Sequence, residues 1–312
     1  MISGIDFSTP LWLVNFYNII GTISLLLNSY VLFLVIFKSD KLDNFKYFLL
    51  AFQSSCLLVD VHLTLLMQPQ PLHPIPAGFC SGLLGRNNWV SCSNLMTTVA
   101  GFISIQFAAL TLCFLRKFVS IKKIERQELE LWKQMAIVFS MVFLSVLIIL
   151  YFDSARGTRE EELQRVARNY PEYLQEFENL TNVAIYELNI FWLFMLSTVV
   201  LMAAWYGTII FYSTRRIFEI LGKFKTSMSA VTYRKHTVAI MSLIAQLITS
   251  VIGMFPPTLL AALLIIEFRY AQVTCRFLLM MFSTHCSVNA IVLIATTPPF
   301  RKFTLFWRNK SV

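Results

Sequence analysis

Seven long apolar stretches, at about 12–37, 47–68, 89–115, 135–152, 188–212, 237–260 and 277–295, leave this chain few ways to fold. A helix needs roughly 20 such residues to cross a hydrocarbon layer about 30 Å thick. Inside that layer every backbone polar group must pair within the chain, so spanning segments are helices or strands of a closed barrel. Barrel strands alternate in polarity over about ten residues, whereas these stretches are longer and apolar throughout. The expectation is an all-α membrane protein, a seven-transmembrane helix bundle forming a single domain over residues 1–312. Composition agrees, with 57% hydrophobic and 14% charged residues, against about 45–50% and about 25% in soluble domains. The N-terminus has neither a basic n-region nor a small-residue cleavage signature, so the first stretch reads as a retained helix.

A net charge of +9 would suggest nucleic acid in a soluble protein; here the placement of the charge matters. Of 26 Lys and Arg, 19 fall in the alternate connections 38–46, 116–134, 213–236 and 296–312. The other seven, Arg86, Arg269 and Arg276 among them, fall on the opposite side. The positive-inside rule makes the 19-residue side cytoplasmic. The N-terminus is then extracellular and the 296–312 tail cytoplasmic, with the lipid bilayer as a partner and no nucleic acid. The sequon Asn179-Leu180-Thr181 falls in the outer loop 153–187 and is a candidate glycosylation site. Asn309-Lys310-Ser311 falls on the cytoplasmic side, where it would be inert.

Loop 153–187 is the one segment with soluble character. Leu163, Val166, Ala167 and Tyr170 repeat at helical spacing behind Glu160, Glu161 and Glu162, acids suited to a first helical turn. Pro171 ends that stretch, and Tyr173, Leu174 and Phe177 start a second short helix. The loop is either a lid over a pocket or a solvated cap.

Asp60 is the only acid within a predicted span. Its insertion costs about 2.5–3.5 kcal/mol, which the surrounding Leu and Val offset at roughly 0.3–0.6 kcal/mol each. It should face the bundle interior, with Asn28 and Asn289 as partners in a polar network that either rearranges or clamps the helices. His62 and His285 lie within spans as pocket-lining or structural donors; no third ligand completes a metal site with them, and no metal or cofactor is expected. Pro256 and Pro257 should kink the sixth span, as a hinge or as fixed shape. Met67, Trp89, Thr97 and Phe255 join His62 and His285 as candidate ligand-pocket residues. Cys80 and Cys92 form either a disulfide or free thiols, with Cys275 a competing partner. Cys56, Cys113 and Cys286 read as packing residues.

On the cytoplasmic side, Arg116, Lys117, Arg215 and Arg216 are candidate G-protein-facing cations. In the tail, Phe300, Phe303, Phe306 and Trp307 with Arg301, Lys302 and Arg308 suit a short helix on an anionic leaflet.

Seven spans, an intramembrane acid and a basic inner face resemble the G-protein-coupled receptor architecture. Three strings are similar to nematode serpentine chemoreceptors: Met67-Gln-Pro-Gln-Pro-Leu-His-Pro-Ile-Pro-Ala-Gly-Phe79, Ser242-Leu-Ile-Ala-Gln246 leading to Met254-Phe-Pro-Pro257, and Pro298-Pro-Phe-Arg-Lys-Phe303. The likeness extends over most of the chain and is greatest to class I, with class H the near neighbour. It implies a sensory receptor of the plasma membrane or cilium, with an odorant or pheromone-like small-molecule ligand, a heterotrimeric G-protein partner and a possible oligomer. The Asp-Arg-Tyr and Asn-Pro…Tyr elements of rhodopsin-like receptors are missing: Leu115 precedes Arg116, and Ala290 follows Asn289. Three other classes are alternatives for a seven-span chain. A transporter or ligand-gated channel subunit would show repeats and several buried charges. An intramembrane enzyme would need a nucleophile–base pair, two acids or a ligand cluster, and Asp60 alone supplies none. A receptor-like subunit active only in a complex would have the same sequence features.

Overall fold

The computed structural model describes residues 4–38, 44–263 and 270–309, the last four without their side chains. Arg269, the side chains of Phe306, Trp307, Arg308 and Asn309, and Lys310 and Ser311 of the second sequon therefore lie outside the described residues. The helices are α1 (Leu11–Phe37), α2 (Phe45–Val61), α3 (Leu83–Arg86), α4 (Cys92–Lys122), α5 (Leu131–Ser154), α6 (Arg159–Asn169) and α7 (Leu174–Asn179). They continue with α8 (Ile190–Lys223), α9 (Ala230–Gly253), α10 (Phe255–Leu263), α11 (Ala271–Ser283), α12 (His285–Thr296) and α13 (Pro298–Asn309). Three short strands are β1 (Pro69–Pro71), β2 (Ala77–Cys80) and β3 (Val183–Ile185).

Among the described residues, seven helical segments are long and apolar enough to cross a membrane, one for each stretch read from the sequence. They are α1; α2 with a π-helical turn over His62–Met67; α4 with a short 3₁₀ turn; α5; α8; α9 with α10; and α11 with α12. Most overrun their apolar stretches, because hydropathy marks the hydrocarbon while backbone pairing continues into the polar ends. The third begins later than expected. Ser91 Oγ accepts the Asn94 N–H and caps α4, which leaves Trp89 in the turn ahead of the helix and outside the span.

α2 and α4 sit at the centre. Phe52, Cys56 and Val59 from α2 and Phe114 and Phe118 from α4 share one core with Ile217 and Ile220 of α8, Ile240 of α9 and Cys286 of α12. α5 is at the rim: Trp132, Phe139, Phe143 and Leu150 are exposed, the surface a lipid-facing helix presents.

Two spans are broken. α9 ends at Gly253, and Pro256 and Pro257 fall in the first turn of α10, where a missing N–H costs no intrahelical bond. The seventh breaks at Thr284, between α11 and α12. The two breaks meet: a Cβ on Gly253 would lie 2.6 Å from His285 Cβ, so only glycine permits this approach.

At the end of the bundle that carries residues 4–10, the loops fold into a cap. β1 pairs with β2 and β2 with β3, all antiparallel, joining the 2–3 and 4–5 connections in one sheet. Leu72, Ile75 and Phe79 pack on Val166, Phe177 and Ile185, with Ile5 and Phe7 against them. Thr158 and Glu161 form a reciprocal capping box that starts α6, so the acid triad does mark a helix N-terminus.

Candidate functional site: a buried polar core beneath the cap

Asp60 is fully buried on α2, and the first hydrogen bond it receives comes from a residue no charge signal marks. Ser24, from α1, donates its hydroxyl to one carboxylate oxygen. Asn28 Nδ2 donates to Ser24 Oγ at 2.8 Å and to the Ser24 carbonyl at 3.0 Å, and Gln53 Nε2 donates to Asn28 Oδ1. Asn28 therefore reaches Asp60 through Ser24. Asn289 does not join this chain: its Nδ2 donates to Ser250 Oγ at 3.2 Å and ties α12 to α9. The expected pairing of Asp60 with both asparagines is corrected: Ser24, one turn before Asn28, stands between that residue and the acid, and Ser250 takes up Asn289.

On the other side of Asp60 lie His285 and Cys286, their ligating atoms and a carboxylate oxygen all within 4.8 Å of one another. His285 Nδ1 lies 2.7 Å from the Phe282 carbonyl, which only an N–H can satisfy; the tautomer is thereby set, and Nε2 offers its lone pair to the core. Cys286 Sγ is 3.1 Å from that Nε2. Gln106, on α4, points Nε2 at His285 Nε2 (3.3 Å), Cys56 Sγ (3.4 Å) and Cys286 Sγ (3.7 Å). Cys56 and Cys286, read as packing residues, thus face polar groups. The absence of a third ligand for the histidines is also corrected: His285 has Asp60 and Cys286 beside it, while His62 is elsewhere.

The six pocket candidates do not converge. His62 is buried, Nε2 2.9 Å from the Leu95 carbonyl and edge-on to Phe102, and so joins α2 to α4. Met67 is buried in the cluster around Cys80 and Cys92. Thr97, half-buried, donates to the Ser93 carbonyl. Trp89 and Phe255 are 69% and 63% exposed and line no interior surface, a correction to their expected place. Only His285 lies in the polar core.

Cys80 and Cys92 form a disulfide, with Cα atoms 5.5 Å apart, that fastens β2 to the start of α4; Cys275 is a free buried thiol. Asn179, at the end of α7, is exposed. Asp6 receives Arg276 Nη1 at 3.0 Å, which ties the N-terminal segment to α11. Partial burial raises the Asp6 pKa, but bonds from the Ser8 side chain and amide and from Arg276 outweigh it and hold the carboxyl below its usual range.

At the opposite end, Arg116 and Lys117 line a cleft of about 120 Å³ with Asn44, Phe45, Ser120 and Lys235. Lys117 is buried and lies 5.6 Å over the Phe45 ring. Arg215 and Arg216 are instead engaged with Glu219, at 2.9 and 2.6 Å, and Arg216 also reaches Glu125 at 3.7 Å. α13 is helical as expected, but Phe300 is fully buried against Val31, Leu34 and Leu293, so its ring meets protein and not lipid. Phe303 is half-buried under Lys38, while Arg301 and Lys302 are exposed.

The model of the serpentine type 7TM GPCR chemoreceptor Sri family matches residues 3–304. The chain belongs to this family. Its fold is also that of squid rhodopsin, with a TM-score of 0.56 and 13% identity over 95% of this chain and 85% of that one. No curated protein matches. The Sri-family chain is thus a multi-pass membrane protein of receptor type. The core residues missed in its sequence, Ser24, Gln53 and Gln106, are neutral polar residues in apolar helices. Their signal was spacing: Ser24 and Asn28 one turn apart, and Gln53, Cys56 and Asp60 on one face of α2.

Proposed function

We propose that this chain is a class I chemoreceptor of a nematode sensory neuron, in the plasma membrane or cilium, acting as one seven-helix domain. The capped end faces outside and the basic end faces the cytoplasm. An odorant or pheromone-like small molecule enters the bundle below the cap and favours one of two pre-existing arrangements of the helices. The inner end then accepts a heterotrimeric G protein around Arg116 and Lys117.

The observation that carries this reading is the contact between the breaks of the sixth and seventh spans, Gly253 against His285, beside the Asp60 core. A ligand that shifts either outer half-helix (α10 or α11) acts at this joint, and α9 and α12 carry the movement to the basic cleft. Arg216, paired across to Glu125 beyond the end of α4 as well as with Glu219 on its own helix, serves as a charge contact that loosens when α8 moves, in place of the missing Asp-Arg-Tyr element, and Arg215 faces the G protein beside it.

The test has two parts. Epitopes placed beside Ile5 and Leu305 should be reached by antibodies from opposite sides of intact cells; labelling from one side overturns the orientation. Cells expressing the chain should give a G-protein response to a member of a volatile and water-soluble compound library. A surface-expressed chain that binds no G protein and answers nothing overturns the signalling role.

A further inference from the structure

The polar core holds a set of side chains that hydrogen bonding alone leaves incomplete. Ser24 occupies one oxygen of Asp60; among the described residues the other, Oδ1, has no hydrogen-bond partner, and the Cys286 thiol lies beside the carboxylate. Gln106 Oε1 is also buried without a partner among the described residues, on a residue 1% exposed. Buried acceptors in this state cost free energy, and beside them Gln106 Nε2 lies 3.3 Å from His285 Nε2, whose lone pair the Phe282 carbonyl directs inward. A carboxylate, an imidazole nitrogen and a thiol within 4.8 Å are the donor types of borderline-soft metals.

We propose that Asp60, His285, Cys286 and Gln106 bind one zinc ion. The ligands would be one Asp60 carboxylate oxygen, His285 Nε2, Cys286 Sγ and, after rotation of the carboxamide, Gln106 Oε1. Charge decides the composition. In hydrocarbon an uncompensated charge is expensive, and one carboxylate plus one thiolate neutralise a divalent ion. Cys286 gives up its thiol proton to solvent on binding; Cys56, with Sγ 3.4 Å from Gln106 Nε2, is a neighbour of the site and not a ligand. The histidine–cysteine pair requires little movement: His285 Nε2 and Cys286 Sγ are 3.1 Å apart, against about 3.6 Å between N and S ligands of a tetrahedral zinc. The Phe282 carbonyl on Nδ1 and Ser24 on Asp60 are the outer partners that such ligands need. The ion would join α2, α4 and α12 at the level where the sixth and seventh spans break. Any effect on signalling rests on the receptor reading; binding itself does not, and is measured without ligand or G protein.

The full chain, purified in detergent and stripped of metal, is titrated with Zn²⁺ and separately with Co²⁺. Zn²⁺ should raise the thermal midpoint saturably at one ion per chain, while Mg²⁺ and Ca²⁺ leave it unchanged. Co²⁺ should show tetrahedral d–d bands and one thiolate charge-transfer band. Cys286→Ser should abolish that band, and Gln106→Ala should weaken Zn²⁺ by at least the roughly 10–100-fold that outer-sphere changes cost. Cys56→Ser and Cys275→Ser should retain it. X-ray absorption on the unmodified zinc-loaded chain should show one sulfur among four ligands, a readout that needs no variant to fold. A shell without sulfur, or a thiolate band that survives Cys286→Ser, overturns the proposal.

Discussion

The cap and the polar core are both made from segments far apart in sequence, yet they are held by opposite means. The cap uses devices that work in water: a disulfide, a capping box, and an apolar cluster around Phe177. Apolar burial drives it because its surroundings are aqueous. The core lies where lipid and protein are equally apolar, so hydrophobicity cannot choose one helix arrangement over another. Close packing and buried hydrogen bonds do so instead. Gly253 against His285 is the packing part, and Gln53–Asn28–Ser24–Asp60 the hydrogen-bonded part. Damage to one region should therefore have little effect on the other.

The largest separation should come from Phe177→Ala. Removing a fully buried aromatic costs about 3–5 kcal/mol, and here that loss falls on the cap alone. Hydrogen exchange should accelerate over residues 160–179 and stay slow in α2 and α4; fast exchange in both would show that the regions are one unit. Cys92→Ser comes next. Opening a loop with a 12-residue separation should cost about 3 kcal/mol of cap stability, read as faster exchange in 69–80 and 183–185.

Gly253→Ala acts on the other side of the comparison. Its Cβ would need space already held by His285, and overpacking costs about 1–3 kcal/mol. The thermal midpoint should fall with cap exchange unchanged, and a compensating His285→Ala should restore part of the loss. Full stability in Gly253→Ala alone would remove the joint from the account.

The same contrast explains what could be read beforehand. Seven helices were legible because each run had to satisfy its own backbone. α6 was legible because Leu163, Val166 and Ala167 carry a helical period beside water. The sheet was not: its strands are three or four residues long, one reads Pro69-Gln70-Pro71, and β3 lies over a hundred residues from β2. Nor was the place of Trp89, since hydropathy does not show that the helix starts only at Cys92, nor the direction of Phe255, since a lipid-facing aromatic and a core aromatic look alike in an apolar run. Asp60 was legible because a charge in hydrocarbon is conspicuous; Gln106, equally central, carries none.

The smallest effect, and the finest test of the cap, concerns Glu162. Burial pushes its carboxyl from 4.5 up to about 7, against the lowering effect of Arg159, the Ile185 backbone, Arg165 and Arg156. A raised acid means the folded cap holds a proton that the unfolded loop releases. The stabilisation is therefore complete below the unfolded value of about 4.5 and is lost as pH climbs through about 7. Glu161 next to it behaves oppositely: its bonds to the Thr158 amide and hydroxyl lower its pKa, so its contribution is lost in acid. Proteolysis within 159–180 should accelerate between about pH 5.5 and about pH 8 in the native chain, by a protease whose own rate is corrected for pH, and the slope should flatten in Glu162→Gln. An unchanged slope in that variant would assign the pH response to another group. A flattened one would assign the cap's pH response to this one buried acid.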